Sequence, residues 1–215
     1  MRTSQTGFTL VEIAIVLVII GLMLGGVLKG QELINSAKVK NLTQDFRSIP
    51  LLLHSYQDKF RSAPGDDANA RRHLCQAAAT ECTTNGNGDG QIGGNWNDST
   101  NSEAFLFWQH VRMAGLAAGS TDAADAGYLP RNAEGGRLGV QSIGAAAPLG
   151  VPGTHTICSA AIPGRFVRQI DLALDDGEPA TGSLRAGIQG STGLSALGAA
   201  TPLDETLSYV LCLGF

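Results

Sequence analysis

Charge is what this sequence has least of. Only 16% of its 215 residues are Asp, Glu, Lys or Arg, against roughly 25% in soluble domains. Positive charge is scarcer still, with 15 Lys and Arg against 19 Asp and Glu, a formal balance of -4. That balance excludes a nucleic-acid binder working through bulk positive charge; the one tight basic pair is Arg71-Arg72. Catalytic patterns are missing as well. His54, His73, His110 and His155 form no metalloprotease motif, and Ser191 stands in Gln-Gly-Ser-Thr-Gly without the first glycine of a nucleophile elbow. No phosphate-cradling glycine motif opens a helix after a strand. The expectation is a protein that is not an enzyme. Solenoid periods are absent, and 28 Gly with 8 Pro stay below low-complexity levels.

What is present is a long apolar run near the N-terminus. Apart from Thr9, Glu12 and three glycines, every residue from Phe8 to Leu28 is apolar. As a helix such a run spans close to the roughly 30 Å of a bilayer core. A secretory signal would need small residues at positions -3 and -1 of a cut. Asn35 fills that position ahead of Ala37, and Leu28 fills it ahead of Gly30, so neither site fits. The segment reads as a retained membrane helix, and Arg2 favours a cytoplasmic N-terminus. Glu12 is its single charge. A carboxylate at the bilayer centre costs roughly 2.5–3.5 kcal/mol, so it calls for a partner.

Gly7-Phe8-Thr9-Leu10-Val11-Glu12, followed directly by apolar residues, resembles the processing site of type IV pilins and type II secretion pseudopilins. The resemblance implies that a prepilin peptidase cuts after Gly7, removes Met1 to Gly7 and methylates the new N-terminal Phe8. It implies that Glu12 pairs with the N-terminal amine of a neighbouring subunit, ammonium and carboxylate compensating one another where packed helices exclude water. Gly25-Gly26-Val27-Leu28-Lys29-Gly30-Gln31-Glu32-Leu33-Ile34 and Pro64-Gly65-Asp66-Asp67 are similar to pilin-like sequences too. One departure is plain: major pilins often carry a proline where this chain has Lys29. Gly21, Gly25, Gly26 and Gly30 take its place, either as softening points or as close-packing positions.

Val39, Leu42, Phe46, Ile49, Leu53, Tyr56 and Phe60 recur at alternating steps of three and four, one stripe along a helix. The preferred reading is an amphipathic helix laid on its own domain, over a coiled coil. Pro50 interrupts the stripe, and Ser62-Ala63-Pro64-Gly65 ends it. The expected organisation is a leader at 1–7, the membrane and assembly half of a spine helix at 8–34, its amphipathic half at 35–62, and a head at 63–215.

All four cysteines and all but five of the glycines lie in the head. Thr100 to Glu103 reads as a capping box opening a helix to about Leu116, with Ala104, Phe107, Trp108 and Val111 on one face. Strands are expected at Thr154–Ile162 and Thr206–Leu213, with a weaker one at Leu138–Ile143 and a short helix from Phe166 to Leu174. Helix first and strands later point to an α+β fold, a long spine helix on a loop-rich head with an antiparallel sheet. Outside the cytoplasm four cysteines imply two disulfides, with three connectivities open. Cys75 and Cys82 close a short loop and Cys158 and Cys212 sit in predicted strands, so those pairs are expected. A zinc set of His73, Cys75, Cys82 and His155 or Cys158 matches no standard spacing.

Two oxygen-rich clusters are candidate cation sites. Asn85, Asn87 and Asp89 follow the opening of an EF-hand loop, but the twelfth position is Trp96 rather than a glutamate. Asp171, Asp175 and Asp176 gather near a predicted helix C-terminus, where carboxylates repel one another and the helix dipole. No cofactor is required, and calcium is the ion either cluster would take; some pseudopilins hold a structural calcium in the head. The expected function is a structural subunit of a type IV pilus or pilin-like filament. The second reading is a minor pilin or pseudopilin acting as a membrane-tethered binding module in DNA uptake, adhesion or secretion. Expected partners are identical or related pilin subunits, prepilin peptidase and an assembly platform, with nucleic acid not expected. The expected location is the inner membrane with a periplasmic head, then a periplasmic or extracellular filament.

Overall fold

The computed structural model describes residues 7, 9–75, 82–144, 147–191, 193–199 and 201–215. Internal contacts divide the chain into two units, Met1–Lys38 and Val39–Phe215. The first helix, α1, runs Leu10–Phe60 and contributes to both. Its end differs from the expected Ser62: Arg61 turns into the left-handed region at φ 59°, which stops the helix as a C-terminal glycine usually would. Pro50 lies inside α1 without ending it.

In the first unit α1 is apolar on every side from Ile13 to Leu28, and its large apolar side chains from Leu10 to Ile34 remain 46% to 86% exposed. It is long and apolar enough to cross a membrane.

The second unit is built on a five-stranded antiparallel sheet. Its strands are β1 (Leu138–Ser142), β2 (His155–Pro163), β3 (Leu184–Gly190), β4 (Gly193–Ala196) and β5 (Ser208–Gly214), in the order β1-β2-β5-β3-β4. Helices α2 (Ala70–Leu74), α3 (Glu103–Met113) and α4 (Gly164–Leu174) complete it. The architecture is α+β, a long N-terminal helix followed by an antiparallel sheet, as in pilin-like proteins.

Strand alternation sorts the sheet into two layers of contact. Ile157, Leu211 and Tyr209 join the main core, together with Leu42, Phe46, Ile49, Leu53 and Tyr56 of α1 and Phe107 and Val111 of α3. The α1 stripe therefore packs on its own domain, each buried side chain contributing roughly 1.5–3 kcal/mol. The alternate residues Cys158, Val210 and Cys212 form a smaller cluster with Trp96, Leu149 and Val151. Between Ser159 and Ile162 β2 carries one extra residue relative to β5, and Ala161 takes φ 56°; this bulge precedes the turn into α4. Gly164 begins that helix because a side chain there would come within 2.2 Å of the Asp204 carbonyl oxygen.

Two expectations need correction. The helix over 100–116 is shorter, because Ser102 rather than Thr100 caps it: its Oγ accepts the Phe105 amide at 3.2 Å. Glu103 is drawn away from any capping box, its carboxylate accepting the Asn87 and Gly93 amides at 2.8 Å each. Strands β3 and β4 lie where none is expected, in a stretch whose small residues carry little strand preference.

Candidate functional site

Thr9 is the cap of α1. Its amide and hydroxyl donate to Glu12 Oε2 at 2.8 and 2.7 Å, while its Oγ1 accepts the Glu12 amide at 3.3 Å. This is a reciprocal capping box, Thr-x-x-Glu, which the sequence reading passes over although its pattern stands in Thr9-Leu10-Val11-Glu12. Glu12 thus has a local partner in a single chain, and it is exposed. Gly7 is exposed as well; Phe8 and the expected leader residues 1–6 lie outside the described residues.

The glycines of the apolar half have no steric duty within the chain. A Cβ added at Gly21, Gly25, Gly26 or Gly30 would meet nothing within 4 Å. The first charges after Glu12, Lys29 and Glu32, pair with one another at 2.7 Å on the surface.

The Asn85–Gln91 loop is organised around a carboxylate, with its side-chain oxygens already occupied. Asp66, buried, accepts the Gly88 and Asp89 amides on Oδ1 at 2.7 and 3.0 Å and the Gly90 amide on Oδ2 at 2.9 Å. Asn85 Oδ1 accepts from the Arg71 amide, Asn87 Oδ1 from Asp89, and Asp89 Oδ1 from Gln91. Gly86 permits the approach, since a Cβ there would lie 2.3 Å from the Gly65 carbonyl oxygen. An EF-hand turns such oxygens toward a cation; here amides converge on Asp66, as in an anion nest. Asp66, Asp89 and Glu103 still place one oxygen each within 4.8 Å of one another.

Asp67 next to it anchors a buried network. Its Oδ2 accepts from Tyr56 at 2.8 Å and from His73 Nδ1 at 2.7 Å. Burial pushes the Asp67 carboxyl up, but the bonds from His73, the Asn69 amide and Tyr56 outweigh it and hold it below the usual range. His110 is buried with its tautomer fixed: Nδ1 accepts the Gly65 amide at 2.9 Å, so Nε2–H donates to the Thr84 carbonyl at 3.0 Å. Desolvation holds its pKa below the ordinary value. These groups bind the structure together. Arg71, half of the tight basic pair, donates to the Thr83 carbonyl at 2.9 Å.

Asp171, Asp175 and Asp176 come together at the end of α4, one oxygen of each within 4.8 Å of the others. Desolvation, with help from Asp176, Asp175 and Glu178, pushes the Asp171 carboxyl up to about 6. The cysteines form two disulfides, Cys75–Cys82 and Cys158–Cys212, the second joining directly opposed residues of β2 and β5. With all four so engaged, no zinc set of cysteines exists.

Residues 2–28 match the family model of the prokaryotic N-terminal methylation motif. No curated protein and no solved structure matches the chain. The family match stops at Leu28 and so characterises the N-terminal segment, not the head. Across residues 2–28 the chain carries the prepilin signal of type IV pilins and pseudopilins, a structural family, and the motif supports a pilin-like or pseudopilin subunit.

Proposed function

We propose that this protein is a structural subunit of a type IV pilus or pilin-like filament, cut between Gly7 and Phe8 and polymerised through the N-terminal half of α1. One observation carries the reading: from Leu10 to Ile34 that helix leaves its large apolar residues exposed, and most of that stretch lies within the methylation motif at residues 2–28. Such a surface needs lipid or identical neighbours, and membrane storage and filament assembly bury the same side chains. The apolar helix is consistent with anchoring before assembly.

Cleavage leaves the Thr9 donors to Glu12 in place and adds a free amine at Phe8. In a filament the carboxylate exchanges the uncharged donors of its local cap for the ammonium of a neighbour, an ion pair in which both partners are charged. Gly21, Gly25 and Gly26, without a packing role in the single chain, let helices of adjacent copies approach closely. Glu12→Gln tests this. The variant is expected to be processed and to accumulate in the membrane, with at least a tenfold loss from sheared filaments. Filaments at the wild-type level would overturn the reading.

A further inference from the structure

We propose that the head binds a neutral oligosaccharide in an uncharged groove on the sheet face turned away from α1. Two hollows of about 330 and 500 Å³ adjoin there, sharing Trp96, Asn97 and Gln189 as walls; each falls in the size range of small-molecule sites. Val210 of β5 lies on the floor. Its neighbour Leu211 points the other way, into the core that holds Leu42, Phe46 and Ile49 of α1. The groove therefore lies on the side of the sheet that the spine helix does not cover.

The chemistry of the lining selects the class of ligand. Among the described residues bordering either hollow there is no Asp, Glu, Lys, Arg or His. Two other hollows of the head differ: one is lined by Asp58, Arg61 and Asp66, another by Arg168 and Glu178. The uncharged groove offers instead carboxamides, on Asn95, Asn97, Gln141 and Gln189, and the Ser208 hydroxyl, beside Trp96 and aliphatic carbons. A carboxamide both donates and accepts, and the indole supplies a rigid apolar wall. That pairing matches a ligand with many hydroxyls, apolar C–H faces and no charge, which is an oligosaccharide. An ionised ligand would lose its hydration there and meet no counter-charge. A peptide would take main-chain bonds from a strand edge, whereas β5 is already paired on both sides, by β2 and β3.

The polar groups are held in place and little used. Gln141, buried, accepts the Trp96 amide on Oε1 at 2.8 Å, and its Nε2 reaches the Ser142 carbonyl at 3.5 Å. Gln189 Nε2 reaches the Gly190 carbonyl at 3.4 Å, again at the outer limit of a hydrogen bond. Among the described residues no hydrogen bond occupies the Asn97 side chain or the Ser208 hydroxyl. Backbone strain also gathers here: Leu149 at φ 55° and Ala161 at φ 56°, two of the four described non-glycine residues with positive φ, both border the groove. Strain of this kind persists where the surroundings fix it, and ligand clamps are one such place.

The site belongs to the head, and its test reads binding, so the outcome does not depend on whether the chain polymerises. Isothermal titration calorimetry is run on the full chain in a detergent whose headgroup carries no sugar. The titrants are neutral tetrasaccharides of glucose, galactose, mannose and N-acetylglucosamine, tetragalacturonate as their acidic counterpart, and an uncharged octapeptide of Ser, Gln and Ala. The expected result is saturable binding of at least one neutral tetrasaccharide, with a dissociation constant below about 1 mM. Tetragalacturonate is expected to bind at least tenfold more weakly. Asn97→Ala and Gln189→Ala, both at exposed positions, are each expected to weaken binding at least threefold, and Arg168→Ala, in a charged hollow, to leave it unchanged. The proposal is overturned if none of the neutral tetrasaccharides binds, if the acid binds as well as they do, or if the peptide binds in their place. Wild-type binding by both folded alanine variants would overturn it too.

Discussion

One helix lives in two environments. Between Leu10 and Ile34, α1 exposes its large apolar side chains; between Leu42 and Tyr56, it buries Leu42, Phe46, Ile49, Leu53 and Tyr56 at no more than 3% exposure. The sequence difference is one of period. An apolar stripe every three or four residues finds its partner within one domain. An uninterrupted apolar run has no face to turn away, so its partners lie outside the chain. Apolar content alone does not mark a core; the arrangement of polar residues around it decides whether the chain can bury it unaided.

That contrast can be broken by substitution. Phe46→Ala should destabilise the head by about 3–5 kcal/mol, whereas Leu17→Ala should leave it within about 0.5 kcal/mol. Both tryptophans, Trp96 and Trp108, lie in the head, so thermal unfolding in detergent followed by tryptophan fluorescence reports that unit. A large loss in Leu17→Ala would show the apolar half to be part of the head's own fold.

Next in size are the disulfides, both confined to the head. Loop closure gives the Cys158–Cys212 bridge, 54 residues apart, about 4 kcal/mol, and the Cys75–Cys82 bridge, 7 apart, about 2 kcal/mol. Paired serine substitutions should rank in that order in denaturant melts. The reverse order would mean that strain or residual denatured structure outweighs chain entropy.

Much of the comparison was legible in advance. The methylation segment is legible through the resemblance of Gly7 to Glu12 to a known processing site, while the stripe from Val39 to Phe60, helices α3 and α4, strands β2 and β5 and the cysteine pairs follow from periodicity, β-branched content and residue type. What was not legible depends on distant partners. The stretch forming β3 and β4 pairs only because β5 offers an edge, and its Gly, Ser and Ala residues announce nothing locally. Glu103 reads as a capping residue until the Asn87 and Gly93 amides are brought to it. The Asn85–Gln91 loop reads as a set of oxygen ligands, but its amides and their target, Asp66, are a tertiary fact. The Thr9–Glu12 capping box stands in the sequence as a Thr-x-x-Glu pattern, in which Glu12 is both the capping carboxylate and the single charge of the apolar run.

The smallest expected effect concerns acid. His110 is neutral in the fold with a depressed pKa, so the unfolded chain binds its proton more readily. Stability from this group is present above its unfolded pKa of roughly 6.5 and falls as pH drops below it, by at most about 1.4 kcal/mol per pH unit. Asp45 and Asp171, both pushed up to about 6 by burial, act in the opposite sense, since the fold holds their protons more tightly. The test is the difference between chains. His110→Gln should lose less stability than wild type between pH 7 and pH 5, and an identical slope would remove His110 from the account.

The central claim is that the apolar half of α1 is prepared for assembly by cleavage at one peptide bond. Intact-mass and N-terminal peptide spectrometry of the protein recovered from its native membrane and filaments tests it most directly. The account predicts a chain that begins at Phe8 and carries one methyl group on its amine. A chain that keeps Met1, or one cut near residue 30 so that the apolar run is lost, would contradict it.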